Sequence, residues 1–112
     1  VEAFRISMNH IPILSIGFNC ALGADQLLPY VKRLANQSDL YISAHPNAGL
    51  PNAFGTYDQS PEEMQVLIED YLKQNTVNII GGCCGTTPDH IRLIADVAKK
   101  YAPRNPKQLL DV

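Results

Sequence analysis

The sequence predicts an α/β fold in which parallel β-strands alternate with helices. Three short apolar runs, at residues 13–17, 40–44 and 77–80, are typical of strands buried on both faces. Segments with apolar residues at helical spacing separate these runs. The resulting order, α-βα-βα-βα, predicts a parallel sheet with right-handed crossovers.

The first half of the chain contains a helix over residues 1–10, a strand over residues 13–17 and a second helix over residues 24–36. Gly17 and Asn19 are predicted to turn the chain after the first strand, because glycine and asparagine tolerate the backbone angles of turns.

The second strand is predicted over residues 40–44 and is followed by a long segment, residues 45–55, rich in Gly, Pro and Asn. This composition predicts a loop. A loop of this length after a strand is usually functional, so we expect residues 46–54 to line the mouth of a site, with Tyr57 and Asp58 continuing that rim.

Two helix starts are marked by capping sequences. Ser60 is predicted as the N-cap of a third helix, with Pro61 at its first position and a glutamate three residues after the cap. A third strand over residues 77–80 precedes the last helix, for which Thr87 is the predicted cap and Pro88 the first residue.

Three strands are few for a free-standing doubly wound domain. They fit better as part of a (β/α)8 barrel, which typically has about 250 residues, whereas this chain has 112. The chain also lacks an initiator methionine and opens in a helix, which predicts that it is part of a longer protein.

The composition excludes several classes of partner. A net charge of −2 means that the chain has no excess of basic residues to attract nucleic acid or an anionic membrane. No apolar run is long enough to span a bilayer, and no signal peptide is visible. Three cysteines in an α/β chain favour metal binding or catalysis in a reducing compartment, so we expect a cytoplasmic protein.

All three cysteines follow predicted strands. Cys20 follows the first strand, and Cys83 and Cys84 lie in the glycine cluster at residues 81–85 after the third. The carboxyl ends of parallel strands share one face of a sheet, and that face carries the chemistry. Three thiolates with one open position form a pattern typical of catalytic zinc, and the chain has no CxxC pair of the structural kind.

The residues alone leave three other interpretations open. The thiols are small enough to serve as buried apolar side chains. The glycine-rich loop at residues 82–87 opens a helix, where its amides are suited to hold a phosphate group. A dithiol redox site ranks lowest, because the neighbouring residues Cys83 and Cys84 would form a strained ring.

Two signatures resemble the zinc-dependent homocysteine S-methyltransferase family: residues 17–20, Gly-Phe-Asn-Cys, and residues 81–85, Gly-Gly-Cys-Cys-Gly. Residues 19–23 and 44–52 resemble the cobalamin-dependent methionine synthase branch. The resemblance runs from residue 3 to residue 104. It implies the C-terminal half of a TIM barrel, and it makes residues 1–112 a fragment of a homocysteine-binding domain.

The resemblance further implies that Cys20, Cys83 and Cys84 are the three ligands of Zn2+. The implied function is activation of the L-homocysteine thiol for methyl transfer from methylcobalamin, with 5-methyltetrahydrofolate as the ultimate donor. The implied partners are homocysteine and the cobalamin- and folate-binding modules of the full-length chain. A betaine- or S-methylmethionine-dependent homocysteine methyltransferase is the alternative within this chemistry.

Contacts to the amino and carboxylate groups of the substrate are expected in the N-terminal half of the barrel, so the fragment is expected to be inactive alone. We assign no catalytic side chain besides the metal ligands. Asn19, His45 and Asn47 are candidates for residues that support the ligands or line the substrate rim, and His10 and His90 are predicted to be exposed. The exposed sheet edges of a half-barrel predict a dimer or larger assembly.

Overall fold

The computed structural model describes residues 1–106 and confirms a parallel α/β arrangement. Its three strands form one parallel sheet in the order β1-β2-β3. The elements are α1 (Glu2–Met8), β1 (Ser15–Gly23), α2 (Ala24–Ala35), β2 (Tyr41–Asn47), α3 (Pro61–Lys73), β3 (Ile79–Ile80) and α4 (Pro88–Ala98).

The two predicted helix starts are confirmed, and each is closed by a capping box. Ser60 accepts from the Glu63 amide, and the Glu63 side chain accepts from the Ser60 amide. At α4, Thr87 and His90 exchange the same pair of bonds. Satisfying these amides locally fixes where each helix begins.

The predicted exposure of His90 was wrong. Its side chain is 5% exposed, its Nδ1 accepts from the Thr87 amide, and its Nε2 lies 2.7 Å from the Gln59 carbonyl. His10, by contrast, is exposed as predicted. The burial of His90 ties the start of α4 to the segment that leads into α3.

The predicted ends of the first two strands were also wrong. β1 continues past Gly17 to Gly23, and β2 continues past Ala44 to Asn47, so residues 45–47 belong to a strand. The cause is backbone pairing: Asn19 pairs with His45, and Gly23 pairs with Asn47 across a register shift. β3 is shorter than predicted, since it contains only Ile79 and Ile80.

The hydrophobic core lies on one side of the sheet. Ile42 and Ala44 of β2 are fully buried in the same cluster as Leu34 of α2 and Met64 of α3. The intervening residue Ser43 is only half-buried. This one-sided coverage of a parallel sheet is consistent with a partial barrel.

Within residues 1–106, none of the helices is long and apolar enough to cross a membrane.

Candidate metal centre

The structure brings the three cysteines together at one end of the sheet. Cys20 lies in the second half of β1, and Cys83 and Cys84 lie in the loop between β3 and α4. Their sulfur atoms all lie within 4.8 Å of one another, and the Cys20 and Cys84 sulfurs are 3.6 Å apart. Residues 63 positions apart in sequence thus form one thiol cluster, which we define as Cys20, Cys83 and Cys84.

Two members of the cluster are joined as a disulfide. Cys20 and Cys83 are bonded through their sulfurs, with Cα atoms 5.6 Å apart, whereas Cys84 is free and exposed. The sequence did not predict this pairing, since the redox pair considered there was Cys83 with Cys84. Thiolate ligation and the disulfide use the same two sulfurs, so metal binding through all three cysteines requires the reduced chain.

A local irregularity of β1 places Cys20 in the cluster. Cys20 and Ala21 have φ values of 55° and 64°, which lie in the left-handed region that non-glycine residues rarely occupy. They fall where the pairing of β1 with β2 shifts register between Asn19 and Gly23. Such a bulge re-aims side chains out of the regular strand alternation and is common next to functional sites.

The end of β2 holds the loop that carries Cys83 and Cys84. The Cys83 amide donates to the Pro46 carbonyl over 2.8 Å, and the Cys84 amide donates to Asn47 Oδ1 over 3.0 Å. In return, the Ala48 amide donates to the Cys84 carbonyl over 2.9 Å. These three bonds fix the backbone of both cysteines against a buried strand end.

The candidate supporting residues have different surroundings. Asn47 is 4% exposed and contacts the thiol loop through the Cys84 amide. The ring of His45 lies against Gly81, where an added Cβ would come within 2.7 Å of the ring carbon Cδ2. Asn19 is exposed and lies in β1 rather than in a turn. Their roles toward a ligand stay predictions.

Tyr57, which the sequence places only on the expected rim of the site, packs against the loop that carries Cys84. Its side chain covers Gly85, where any added Cβ would overlap the Tyr57 Cβ and ring. Desolvation first, and then the charge and hydrogen bond of Cys84, raise the pKa of Tyr57. No local motif marks this tyrosine, because its partners lie some thirty positions away in the sequence.

The loop between β2 and α3 is held by hydrogen bonds between its own residues. The Asn52 side chain accepts from the amides of Phe54 and Thr56 and donates to Thr56 Oγ1 and Asp58 Oδ2. Tyr57 also pairs with Pro51 in an isolated antiparallel bridge. The loop therefore holds Tyr57 beside the thiol cluster through several local bonds.

The donor set of the cluster is compatible with zinc once the Cys20–Cys83 disulfide is reduced. Zinc prefers thiolate sulfur, and a tetrahedral centre with Zn–S bonds of about 2.3 Å separates its sulfurs by about 3.8 Å. The 3.6 Å between the Cys20 and Cys84 sulfurs is close to that separation. Because Cys84 is exposed, a further ligand has access to the cluster from solvent.

A family model described as homocysteine S-methyltransferase matches residues 1–98, which include all three cysteines. The chain belongs to the homocysteine S-methyltransferase family. Members of this family are methyltransferases, and their acceptor is a thiol. A cluster of soft sulfur donors open to solvent is compatible with an acceptor whose reacting atom is itself sulfur.

In this homocysteine S-methyltransferase chain, the glycine-rich loop offers little to a phosphate group. Of the seven amides at residues 81–87, five already donate to acceptors within the protein: those of Gly81, Cys83, Cys84, Thr86 and Thr87. A phosphate cradle needs free amides that converge on the anion. The loop geometry thus favours the thiols over the amides as the functional groups.

Proposed function

We propose that residues 1–112 are the C-terminal half of a (β/α)8 homocysteine-binding domain, in which Cys20, Cys83 and Cys84 hold Zn2+ for methylation of L-homocysteine. The observation that carries this proposal is the convergence of the three sulfurs within 4.8 Å in a chain of the homocysteine S-methyltransferase family. The parallel sheet with one-sided helical coverage supports the partial barrel.

The chemistry requires a thiolate. A free thiol has a pKa of about 8.5, so homocysteine is mostly protonated at neutral pH and is then a poor nucleophile. Bound zinc supplies the positive charge that lowers the pKa of the substrate thiol. Cys20, Cys83 and Cys84 would hold the ion as thiolates, and their negative charge would limit how much electron density zinc withdraws, so that the substrate sulfur would stay nucleophilic.

The transfer step exchanges two bonds. After the thiol proton has passed to solvent, a sulfur electron pair forms the new S–CH3 bond, and the bond between the methyl group and its carrier breaks. The pair from that bond stays on the carrier. The product, methionine, is a neutral thioether and a weaker ligand than the thiolate, which favours its release.

The methyl donor in this proposal is methylcobalamin on another module, with 5-methyltetrahydrofolate as the ultimate source. Its support is the resemblance of residues 19–23 and 44–52 to the cobalamin-dependent branch. The corresponding partners are the cobalamin- and folate-binding modules of a full-length cytoplasmic protein. Within the site, Asn47 positions the thiol loop through the Cys84 amide, and Asn19 and His45 are candidates for the substrate rim.

Cobalt substitution tests this function with an optical signal. The reduced chain loaded with Co2+ should show thiolate-to-cobalt absorption that increases when L-homocysteine adds a further sulfur. Methionine should leave the spectrum nearly unchanged. A spectrum that does not respond to millimolar homocysteine, in a chain that has bound cobalt, would contradict substrate activation at this centre. Cys84→Ser serves as the control, because it should lose most of the signal before substrate is added.

A further inference from the structure

The buried side chain of His90 makes hydrogen bonds in two directions. It is 5% exposed, and its Nδ1 accepts from the Thr87 amide over 3.2 Å. Its Nε2 lies 2.7 Å from the Gln59 carbonyl oxygen. Because a carbonyl can only accept, Nε2 carries the proton and donates to Gln59. One imidazole therefore joins the start of α4 to the end of the loop between β2 and α3.

Thr87 directly follows the turn that carries two of the cysteines. The Cys83 carbonyl accepts from the Thr86 amide over 3.2 Å and from the Thr86 hydroxyl over 2.6 Å. These bonds close residues 83–86 into a turn. A side chain that fixes Thr87 therefore fixes the end of this turn, and with it the backbone of Cys83 and Cys84.

The loop between β2 and α3 holds the segment that carries the thiols at two separate points. At the start of the loop, the Ala48 amide donates to the Cys84 carbonyl over 2.9 Å. At its end, the Gln59 carbonyl accepts from His90. Two points of attachment fix the orientation of a segment, whereas a single point allows it to pivot. The bond from His90 supplies the second point.

We propose that His90 is a positioning residue of the metal centre, whose side chain fixes the turn of Cys83 and Cys84 against the loop between β2 and α3. This inference rests on the proposed function, since it takes both cysteines as zinc ligands. A capping box usually has Glu or Gln at this position, and α3 uses Glu63. Histidine offers a second ring nitrogen beyond the one that caps the helix, and that nitrogen makes the bond to Gln59.

The expected consequence is weaker metal binding with the helix start retained. Without the bond to Gln59, the turn is less fixed, and the sulfurs of Cys83 and Cys84 are less well arranged for a metal ion. Residues that support metal ligands typically contribute about 10- to 100-fold to metal affinity. His90 acts through the backbone rather than on a sulfur, so we expect an effect of about tenfold. The visible bands of bound Co2+ should shift as well, because they depend on the geometry of the ligands.

The test compares His90→Asn and His90→Gln with the native chain under reducing conditions. The shorter amide of His90→Asn keeps an acceptor near the Thr87 amide but does not reach Gln59. The longer amide of His90→Gln offers both an acceptor and a donor. We expect His90→Asn to bind zinc about tenfold more weakly in competition with a chelator, with shifted cobalt bands. His90→Gln should recover most of the affinity and the native spectrum.

The matched control is Glu63→Ala, which removes the equivalent capping bond, from the Ser60 amide, at the start of α3. It should lower the stability of the chain and leave zinc affinity and the cobalt spectrum unchanged. An effect on both metal readouts as large as that of His90→Asn would overturn the inference, because any loosened helix start would then suffice.

Circular dichroism of the metal-free chains checks the fold of each variant. If the native chain binds zinc and His90→Asn has the same affinity and the same cobalt spectrum, the positioning role is wrong while the three-thiolate site stands. Equal losses in His90→Asn and His90→Gln would also contradict it. If His90→Asn is unfolded while Glu63→Ala folds, His90 supports the whole domain rather than the metal centre, and the inference is overturned. If the reduced native chain binds neither metal, the proposed function fails and this inference fails with it.

Discussion

The buried side chain of Asn47 accepts a hydrogen bond from the amide of Cys84, with 3.0 Å between Oδ1 and the nitrogen. Asn47 is the last residue of β2, and Cys84 lies in the loop after β3. One side chain therefore links the end of the central strand to the residue that completes the thiol cluster, and the position of Cys84 depends on a strand 37 positions earlier.

Replacement of Asn47 by alanine should loosen this link. The Cys84 amide would lose its acceptor, which should cost about 1–3 kcal/mol in the free energy of unfolding. Zinc affinity should fall as well, because the backbone that carries Cys84 is less fixed. Chemical denaturation and chelator competition measure the two effects.

Asn47→Asp is the matched control, because a carboxylate oxygen retains an acceptor at the same position. It should keep more of the stability than Asn47→Ala. If Asn47→Ala and the native chain have the same free energy of unfolding, the bond does not contribute to stability.

Gly85 and Gly55 provide a second test, since both have positive φ, 81° and 77°, but different surroundings. Alanine at Gly55 would meet nothing within 4 Å and should cost only the left-handed conformation, about 1–2 kcal/mol. Alanine at Gly85 would also collide with Tyr57, which adds about 1–3 kcal/mol of overpacking. Denaturation midpoints should therefore rank Gly85→Ala below Gly55→Ala, and the reverse order would refute the close packing of Tyr57 on Gly85.

The bulge of β1 predicts an unusual response at Ala21, which is exposed with φ 64°. Ala21→Gly removes left-handed strain of about 1–2 kcal/mol and adds a chain-entropy cost of about 0.5–1 kcal/mol, so stability should stay level or rise slightly. Ala21→Val should lose about 1–3 kcal/mol and weaken metal binding, because a branched side chain resists this conformation.

Ala53→Val is the control for Ala21→Val, since Ala53 is exposed and has no positive φ. It should change the free energy of unfolding by less than about 0.5 kcal/mol. If the two valine variants behave alike, the bulge does not constrain Cys20 as described.

Self-association is expected from the edges of the sheet. In the part of the chain that the structure describes, β1 and β3 each pair on one side only, and Leu14 and Ile79 are 73% and 44% exposed beside them. Unpaired strand edges with apolar neighbours favour pairing with another copy. Light scattering at micromolar concentration should give at least the mass of a dimer, and a monomer mass across the concentration range would disprove this prediction.

Local chemistry made the helix starts predictable, whereas long-range pairing made the strand ends unpredictable. Ser60 and Thr87 mark the starts of their helices, because the N-cap, the following proline and the capping partner all lie within four residues. The structure confirms both starts. Asn19 and residues 45–47 have the composition of turns, yet they remain in strands because each segment pairs with the other. Local propensity is a weak guide wherever a partner strand supplies the hydrogen bonds.

The same distinction applies to the site. The glycine-flanked Cys83 and Cys84 were recognisable as functional candidates, and the parallel sheet explains why Cys20 joins them. The sequence placed Tyr57 only on the expected rim of the site, because its packing on Gly85 depends on how a distant loop folds. His90 was misjudged for the same reason: its burial arises from the Gln59 carbonyl, 31 positions earlier.

Zinc content per chain tests the central claim most directly. The native chain and a Cys83→Ser, Cys84→Ser double variant should be purified without chelator and with reductant, since the Cys20–Cys83 disulfide would remove two of the three thiolates. We expect about one zinc per native chain and none in the double variant, as three thiolate ligands require. Equal zinc content in the two proteins, or no zinc in a reduced and folded native chain, would contradict the three-thiolate centre.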